Sequence, residues 1–397
     1  MQKRAIAGSR FDLLSRMRVN AGRLPVVMAS PPTANTARGS GVSSLATMHD
    51  AILSGAPSAK YEYHCGNPAQ SGASYPDTLF VQNQSVNYGS TVGASRIGNN
   101  WMLSFVTDAP AFEIFMKGLA GSEYRVLVDG ELAGAAQVAS KANDGGLYYD
   151  LYTFGTRAVR LVTLLLRDNL RFGGIKTDAL SRVWKPRRNP NRVKAVFLGD
   201  SYAEGTGADY PDGSWAFAAS SFLGWECWLS GVGNTGYVWN ASGAKATFRS
   251  RFSADVSAYG PDVIVIAGGI NDSGSTQAAI QAEAALLFGK ARSENPDALI
   301  FVAGPWTGPG STTPAGINAG IKAAAQATDG YGTRLFFIET MTDPVGAWQF
   351  GTGKAGATNG SGNSDVYVGT DGIHPVQAGH NYLGRRFAEA VKLAIAA

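Results

Sequence analysis

Four short stretches in the carboxyl-terminal half of the chain carry side chains able to move a proton or hold a developing negative charge. They are Gly199-Asp200-Ser201, Ser230-Gly231-Val232-Gly233-Asn234-Thr235, Gly269-Ile270-Asn271-Asp272 and Asp371-Gly372-Ile373-His374. A serine hydroxyl is a weak nucleophile near neutral pH and needs a base within hydrogen-bond reach. An imidazole ordinarily titrates near ~6.5 and suits that task, which makes His374 the candidate base for Ser201. Asp371, three residues earlier in the chain, can accept the second ring N–H, fix the tautomer and stabilise the imidazolium. Attack on an ester carbonyl leaves a negatively charged oxygen. The backbone N–H groups of Ser201 and of Gly233 or Gly231, with the side-chain amide of Asn271, are candidate donors to it; losing one such donor typically raises a barrier by ~3 to 4 kcal/mol. This chemistry calls for no metal and no organic cofactor, and neither is expected. Each stretch also has an ordinary reading. Gly-Asp-Ser is turn-forming, Asn271-Asp272 can cap a helix, and His374 can precede a helix that starts at Pro375.

These residues need elements to position them. Apolar runs at Ala195 to Leu198, Trp225 to Leu229, Val263 to Ala267, Leu299 to Ala303 and Leu335 to Ile338 alternate with helical stretches, notably Thr276 to Ser293 and Pro375 to Ala396. Strands alternating with helices predict an α/β fold with a doubly wound, mostly parallel sheet. In such sheets ligands bind beyond the carboxyl ends of the strands. Ser201, Gly233 and Asn271 each follow the end of one of these runs.

Upstream, the pattern changes. Trp101 to Val106, Phe112 to Met116, Tyr124 to Val128 and Ala158 to Leu166 are rich in β-branched and aromatic residues, and Asp129-Gly130 is a tight-hairpin signal. Short strands with turns between them predict a β-sandwich, jelly-roll-like, over residues 51–190. The stiff basic connector Trp184-Lys185-Pro186-Arg187-Arg188-Asn189-Pro190 leads into a second domain at 191–397. Residues 1–50 read as a basic arm and a Pro/Thr/Ser/Gly-rich linker.

Charge is unevenly spread. The chain has 397 residues and a net charge of +4, yet the first forty residues hold seven basic side chains against Asp12 alone. The remainder is slightly acidic, so a nucleic-acid-binding body is not expected. The longest apolar runs fall short of the ~20 residues that cross a bilayer. Cys65 and Cys227 have no spacing that suggests a zinc site or a disulfide framework, and His64 and His380 are expected to be structural. The arm lacks the apolar core of ~7 to 15 residues of a secretory signal. That leaves a cytoplasmic or a virion-associated location as the expectation, with residues 1–45 as the part that would bind an assembly partner.

Taken together, the four stretches resemble in order and content the blocks of the SGNH hydrolases, the GDSL esterase and lipase family, over residues 193–397. The resemblance implies a three-layer, flavodoxin-like catalytic domain, a serine esterase with Ser201, His374 and Asp371 as its triad, and an oxyanion hole of Ser201, Gly233 and Asn271. The Asn-Thr after Gly233 favours it over Gly231. Many members with an amino-terminal β-sandwich are similar to carbohydrate esterases that remove acetyl groups from polysaccharides, which implies an acetylated glycan as substrate. Tyr202, Tyr237, Trp239, Trp306 and Trp348, in loops near the site, are candidate substrate contacts that can stack on sugar rings or pack against a lipid chain. The alternatives are a thioesterase or lysophospholipase of the same fold, or a virion or cell-surface attachment protein with an accessory or silent esterase domain.

Overall fold

The computed structural model describes residues 12, 13, 15, 16, 22–83, 100–167, 169–187, 189, 191–306, 314–342 and 346–396. Most of the basic arm, and Arg188 and Pro190 of the connector, lie outside the described residues.

The five apolar runs of the carboxyl-terminal half are parallel strands: β1 (Val193–Gly199), β2 (Trp225–Gly231), β3 (Val263–Ala267), β4 (Leu299–Ala303) and β5 (Leu335–Ile338). They pair in the order β2-β1-β3-β4-β5, the flavodoxin-like arrangement, with β1 and β3 in register from Ala195 opposite Val263 to Gly199 opposite Ala267. Side chains alternate between the faces with a period of two. Ala195 and Phe197 face one helical layer, α2 (Trp215–Leu223) and α6 (Gln377–Ala396). Val196 and Leu198 face the other, α3 (Phe248–Asp255), α4 (Gln277–Glu294) and α5 (Pro314–Ala327). Burial on both faces explains why these strands read as unbroken apolar runs. Helix starts follow local chemistry: Ser214, Thr247 and Thr276 each cap the helix that follows by accepting a backbone N–H.

The upstream half forms two antiparallel sheets. One has the order Thr33–Asn35, Leu147–Thr153, Ala111–Lys117, Phe172–Thr177, Val81–Asn83, Pro68–Gln70, with Thr47–Asp50 also on Phe172–Thr177. The other has the order Glu131–Leu132, Tyr124–Val128, Arg160–Arg167, Asn100–Thr107, Val183–Trp184, with Glu62–His64 on Asn100–Thr107. Trp101, Leu103 and Phe105 of one sheet share a core with Phe112, Ile114 and Met116 of the other, Phe105 meeting Phe112 edge-on at 5.7 Å. The Asp129-Gly130 signal forms the expected hairpin, with φ of +52° and +89° and Val128 opposite Glu131.

One expectation about the amino-terminal region needs correction. Residues 33–50 are not linker: Thr33–Asn35 pairs with Thr153 to Leu151, and Thr47–Asp50 pairs with Thr177 to Gly174. Between them Arg38, Ser43 and Ser44 converge on the buried carboxylate of Glu113. A Pro/Ser/Thr-rich sequence can serve as an exposed edge strand, and all three residues of Thr33–Asn35 are exposed. The described part of the arm, for its part, lies against its own chain. Leu13 is buried in the core that lies on one face of the parallel sheet, and Arg16 donates to Asp262 at 3.0 and 3.2 Å.

The halves are joined by a polar cluster. Arg192 reaches Glu62 at 3.5 Å and Glu226 at 3.2 Å and donates to His64 Nδ1 at 2.5 Å, while His64 Nε2 is 3.2 Å from Ser104 Oγ. Cys65 lies within the core of the parallel sheet, and both cysteines are buried and free. No helix among the described residues is long and apolar enough to cross a membrane.

Candidate active site

The site is built where β1 stops. Gly199 is the last residue of the strand, and a Cβ there would lie 2.6 Å from Ala267 O and 2.7 Å from Ala203 Cβ, so only glycine lets the chain turn this tightly. Asp200 then caps the one-turn helix α1 (Ser201–Glu204) by accepting the Tyr202 N–H at 3.0 Å, and Gly205 ends it in the left-handed region. Ser201 is thereby fixed at the first helical position, at the rim of the sheet. Burial lifts the Asp200 carboxyl to about 6, with nearby Asp272 adding to the effect and the N–H groups of Tyr202 and Gly269 opposing it.

From the other end of the domain, the loop before α6 brings in an acid and an imidazole. Asp371 Oδ1 accepts the N–H groups of Ile373 at 2.9 Å and His374 at 3.0 Å, and Oδ2 lies 2.6 Å from His374 Nδ1. Burial alone would raise the Asp371 carboxyl, but those two N–H groups and the imidazole outweigh it and hold the carboxyl below its ordinary value. An ionised carboxylate can only accept, so Nδ1 carries the proton, and in the neutral imidazole Nε2 then presents its lone pair. That lone pair faces Ser201 Oγ at 2.8 Å. The arrangement can take the hydroxyl proton as oxygen attacks carbon, and return it to a leaving group.

The aromatic residues expected on the substrate side divide unevenly. Tyr202, Tyr237, Trp306 and Trp348 are buried, at 1–2% exposure, and have no face to offer a sugar. Tyr202 and Trp306 form the wall that backs the site. Tyr202 stacks on Trp306 at 5.5 Å, lies 5.8 Å from the His374 ring and donates its hydroxyl proton to Ile373 O. Tyr237 packs against Phe248 and Phe288, and Trp348 lies beneath the Arg386 guanidinium. Trp239 is the exception, 37% exposed, with its indole N–H held by Asn234 Oδ1 at 2.8 Å.

The loop after β2 supplies the opposite wall. A Cβ on Gly231 would lie 2.1 Å from the Glu204 nitrogen, so Gly231 is the point where β2 and α1 touch. Gly233 faces Ser201 more directly: a Cβ on it would lie 3.5 Å from Ser201 Cβ. Its N–H is taken by Glu204 Oε2 at 2.8 Å, a contact with no sequence-level signal. Asn271 donates one amide N–H to Thr235 O at 2.9 Å, leaving the other as the one a ligand can take.

Several supports hold these loops in place. Arg251, fully buried on α3, donates to Gly199 O at 2.6 Å and to Thr235 Oγ1 at 3.0 Å, which ties the end of β1 to the Gly233 loop. Asp272 accepts the N–H groups of Tyr237, Val238 and Trp239 at 2.9, 3.0 and 2.7 Å. His380 accepts the Trp215 N–H at 3.2 Å and donates to Thr206 O at 3.1 Å; burial pushes it down to about 4, so it is a neutral brace. Gln377 bonds both Asp209 N and Gly213 O at 2.9 Å, and Arg125 of the antiparallel half reaches Asp212 at 3.0 Å and the Tyr210 ring at 4.1 Å. The loop between α1 and α2 is therefore gripped on one side by the histidine segment and on the other by the sandwich.

Residues 197–382 match the model of the GDSL-like Lipase/Acylhydrolase family. No curated protein matches the chain in sequence. Among solved structures, a family two carbohydrate esterase from Cellvibrio japonicus is similar over 88% of this chain and 98% of its own, with a TM-score of 0.61 at 15% identity. One from Clostridium thermocellum, in complex with cellohexaose, covers 84% and 98% at TM-score 0.59 and 16% identity. A third, from Corynascus thermopiles (Myceliophthora fergusii), is a carbohydrate esterase family 2 enzyme plus a carbohydrate-binding domain and covers 85% and 100% at TM-score 0.57 and 18% identity. At such identities the likeness establishes a shared fold, with an antiparallel β-rich part before an SGNH-type domain.

Proposed function

Given that residues 197–382 are a GDSL-like lipase/acylhydrolase domain and the chain is therefore a carboxylic ester hydrolase, we propose that it removes short acyl groups, acetyl first, from the hydroxyls of a polysaccharide. Ser201 is the nucleophile, His374 the base that takes its proton, and Asp371 the group that holds the imidazole and stabilises its charged form. The observation that carries this reading is the unbroken line of hydrogen bonds from Asp371 Oδ2 through His374 to Ser201 Oγ, at 2.6 and 2.8 Å.

In the first step Ser201 Oγ bonds to the acyl carbon, and its proton passes to His374 Nε2 and then to the departing sugar oxygen. Water repeats the sequence on the acyl-enzyme and releases the acid. The oxygen that becomes negative in each step is held by the N–H groups of Ser201 and Gly233 and the Asn271 amide. On the glycan side, Trp239 offers an exposed ring of a kind that stacks on sugars, and several of the structures sharing this fold are carbohydrate esterases. A site wall filled by Tyr202 and Trp306 favours a small acyl group over a long chain.

The test is hydrolysis of p-nitrophenyl esters and of acetylated xylan by wild type and Ser201→Ala. Acetyl release abolished by the substitution, with rates falling sharply beyond butyrate, is the expected result. Equal rates in both proteins would remove the serine mechanism; preference for octanoate would move the substrate class from glycan to lipid.

A further inference from the structure

We propose that Glu204 is an internal competitor for the oxyanion position, a carboxylate that occupies the Gly233 N–H in the resting site and expels the acid product. The inference rests on the serine-esterase reading and names a residue that reading does not use.

Glu204 closes the one-turn helix that Ser201 opens, and the close approach of Gly231 beneath it fixes its backbone against the end of β2. From there its Oε2 accepts the Gly233 N–H at 2.8 Å. The same glycine is pressed toward the nucleophile, since a Cβ on it would lie 2.6 Å from that carboxylate oxygen and 3.5 Å from Ser201 Cβ. A charged oxygen therefore already sits on a donor that the reaction needs. On the carbonyl side of the same glycine, Lys245 Nζ donates to Gly233 O at 2.6 Å, which places a cation on the loop that bears the contested N–H.

A neutral ester carbonyl is a weaker acceptor than a carboxylate, whereas the tetrahedral intermediate carries a full negative charge. Gly233 is therefore surrendered late, to the charged species rather than to the bound substrate. The acid product is the critical case. Acetate would otherwise rest on the same donors as the oxyanion, and the return of Glu204 both takes back the Gly233 N–H and repels the anion.

Acetate inhibition of p-nitrophenyl acetate hydrolysis measures this directly. In Glu204→Ala the inhibition constant for acetate should fall at least tenfold, and in Glu204→Gln, which keeps the shape but not the charge, it should fall by less. A brace for the loop behaves in the opposite way: removing it would weaken acetate inhibition or leave it unchanged while activity drops, and that result overturns the proposal. Glu204→Gln keeps the test open should the alanine variant fold poorly. Hydrolysis that survives in Ser201→Ala would defeat the esterase mechanism itself; hydrolysis lost there, with acetate inhibition unaltered in both Glu204 variants, would defeat only the role of Glu204.

Discussion

Asp272 Oδ1 accepts the backbone N–H of Trp239 at 2.7 Å, so a buried acid at the end of one strand fixes the exposed ring carried by the loop of another. Two further N–H groups, of Tyr237 and Val238, end on the same carboxyl. Removing it strands all three donors, each at a cost of about 1–3 kcal/mol. Asp272→Ala is expected to lower the unfolding free energy by several kcal/mol and, where it folds, to raise KM for acetylated glycan more than it lowers kcat. Thermal unfolding and steady-state kinetics check this; a KM unchanged in a folded variant would show that the Trp239 ring does not meet the substrate.

The chain of bonds from Asp371 to Ser201 predicts strongly non-additive kinetics. Ser201→Ala and His374→Ala should each cost on the order of 10³ to 10⁶ in kcat, and the double variant no more than the worse of the two, because either loss disables the same unit. Multiplying losses in the double variant would indicate that the two residues act independently.

Two displaced buried groups near the site, a carboxyl and an imidazole, pull stability in opposite directions with pH. The Asp200 carboxyl is raised from 3.8 to about 6, so the folded state holds its proton longer than the unfolded state does, and stability falls as pH rises across that window. His380 is lowered from 6.5 to about 4, so the unfolded state takes the proton first, and stability is lost as pH falls below 6.5. In the wild type these effects partly offset each other. Asp200→Asn keeps an oxygen for the helix cap and leaves His380 unopposed, so the variant should gain stability relative to wild type above about pH 6, by roughly 3 kcal/mol at most. Urea unfolding at about pH 4.5 and about pH 7.5 tests the sign. A larger gain at the acid end would mean that the Asp200 carboxyl is not the group responsible.

Arg125 is nearly buried against Asp212, at 8% and 11% side-chain exposure, and lies over the Tyr210 ring. Removing the arginine alone leaves an uncompensated acid, which typically costs ~3 to 5 kcal/mol in a buried pair. Because the loop bearing Asp212 also meets Gln377, three residues past His374, Arg125→Ala should lower kcat as well as the melting temperature. Activity that stays intact in a destabilised variant would confine the pair to a structural role.

Much of this architecture is written in short-range patterns. The five parallel strands are buried on both faces and so appear as plain apolar runs, and the Asp129-Gly130 turn announces its hairpin through a backbone conformation those residues tolerate. Ser201, Asn271 and His374 stand out because hydroxyl, amide and imidazole follow strand ends or precede a helix. Other features depend on contacts between distant segments. Nothing local in Tyr202 or Trp306 tells a ring that stacks on sugar from one that backs a histidine, since both uses ask for the same side chain. Arg251 and Glu204 look like ordinary surface charges on short helices, and only the folded chain shows what each one reaches. The 33–50 stretch was obscured by composition: an edge strand that pairs on one side is free to be polar.

The position of Cys65 has a consequence for how this protein can be divided. It belongs by sequence to the antiparallel half, yet its side chain is fully buried in the core of the parallel sheet. Exchanging the front half for an unrelated binding module would leave a hole in the hydrolase as well as an unfamiliar neighbour, so the pair is better regarded as one machine inherited whole than as an enzyme wearing a detachable attachment.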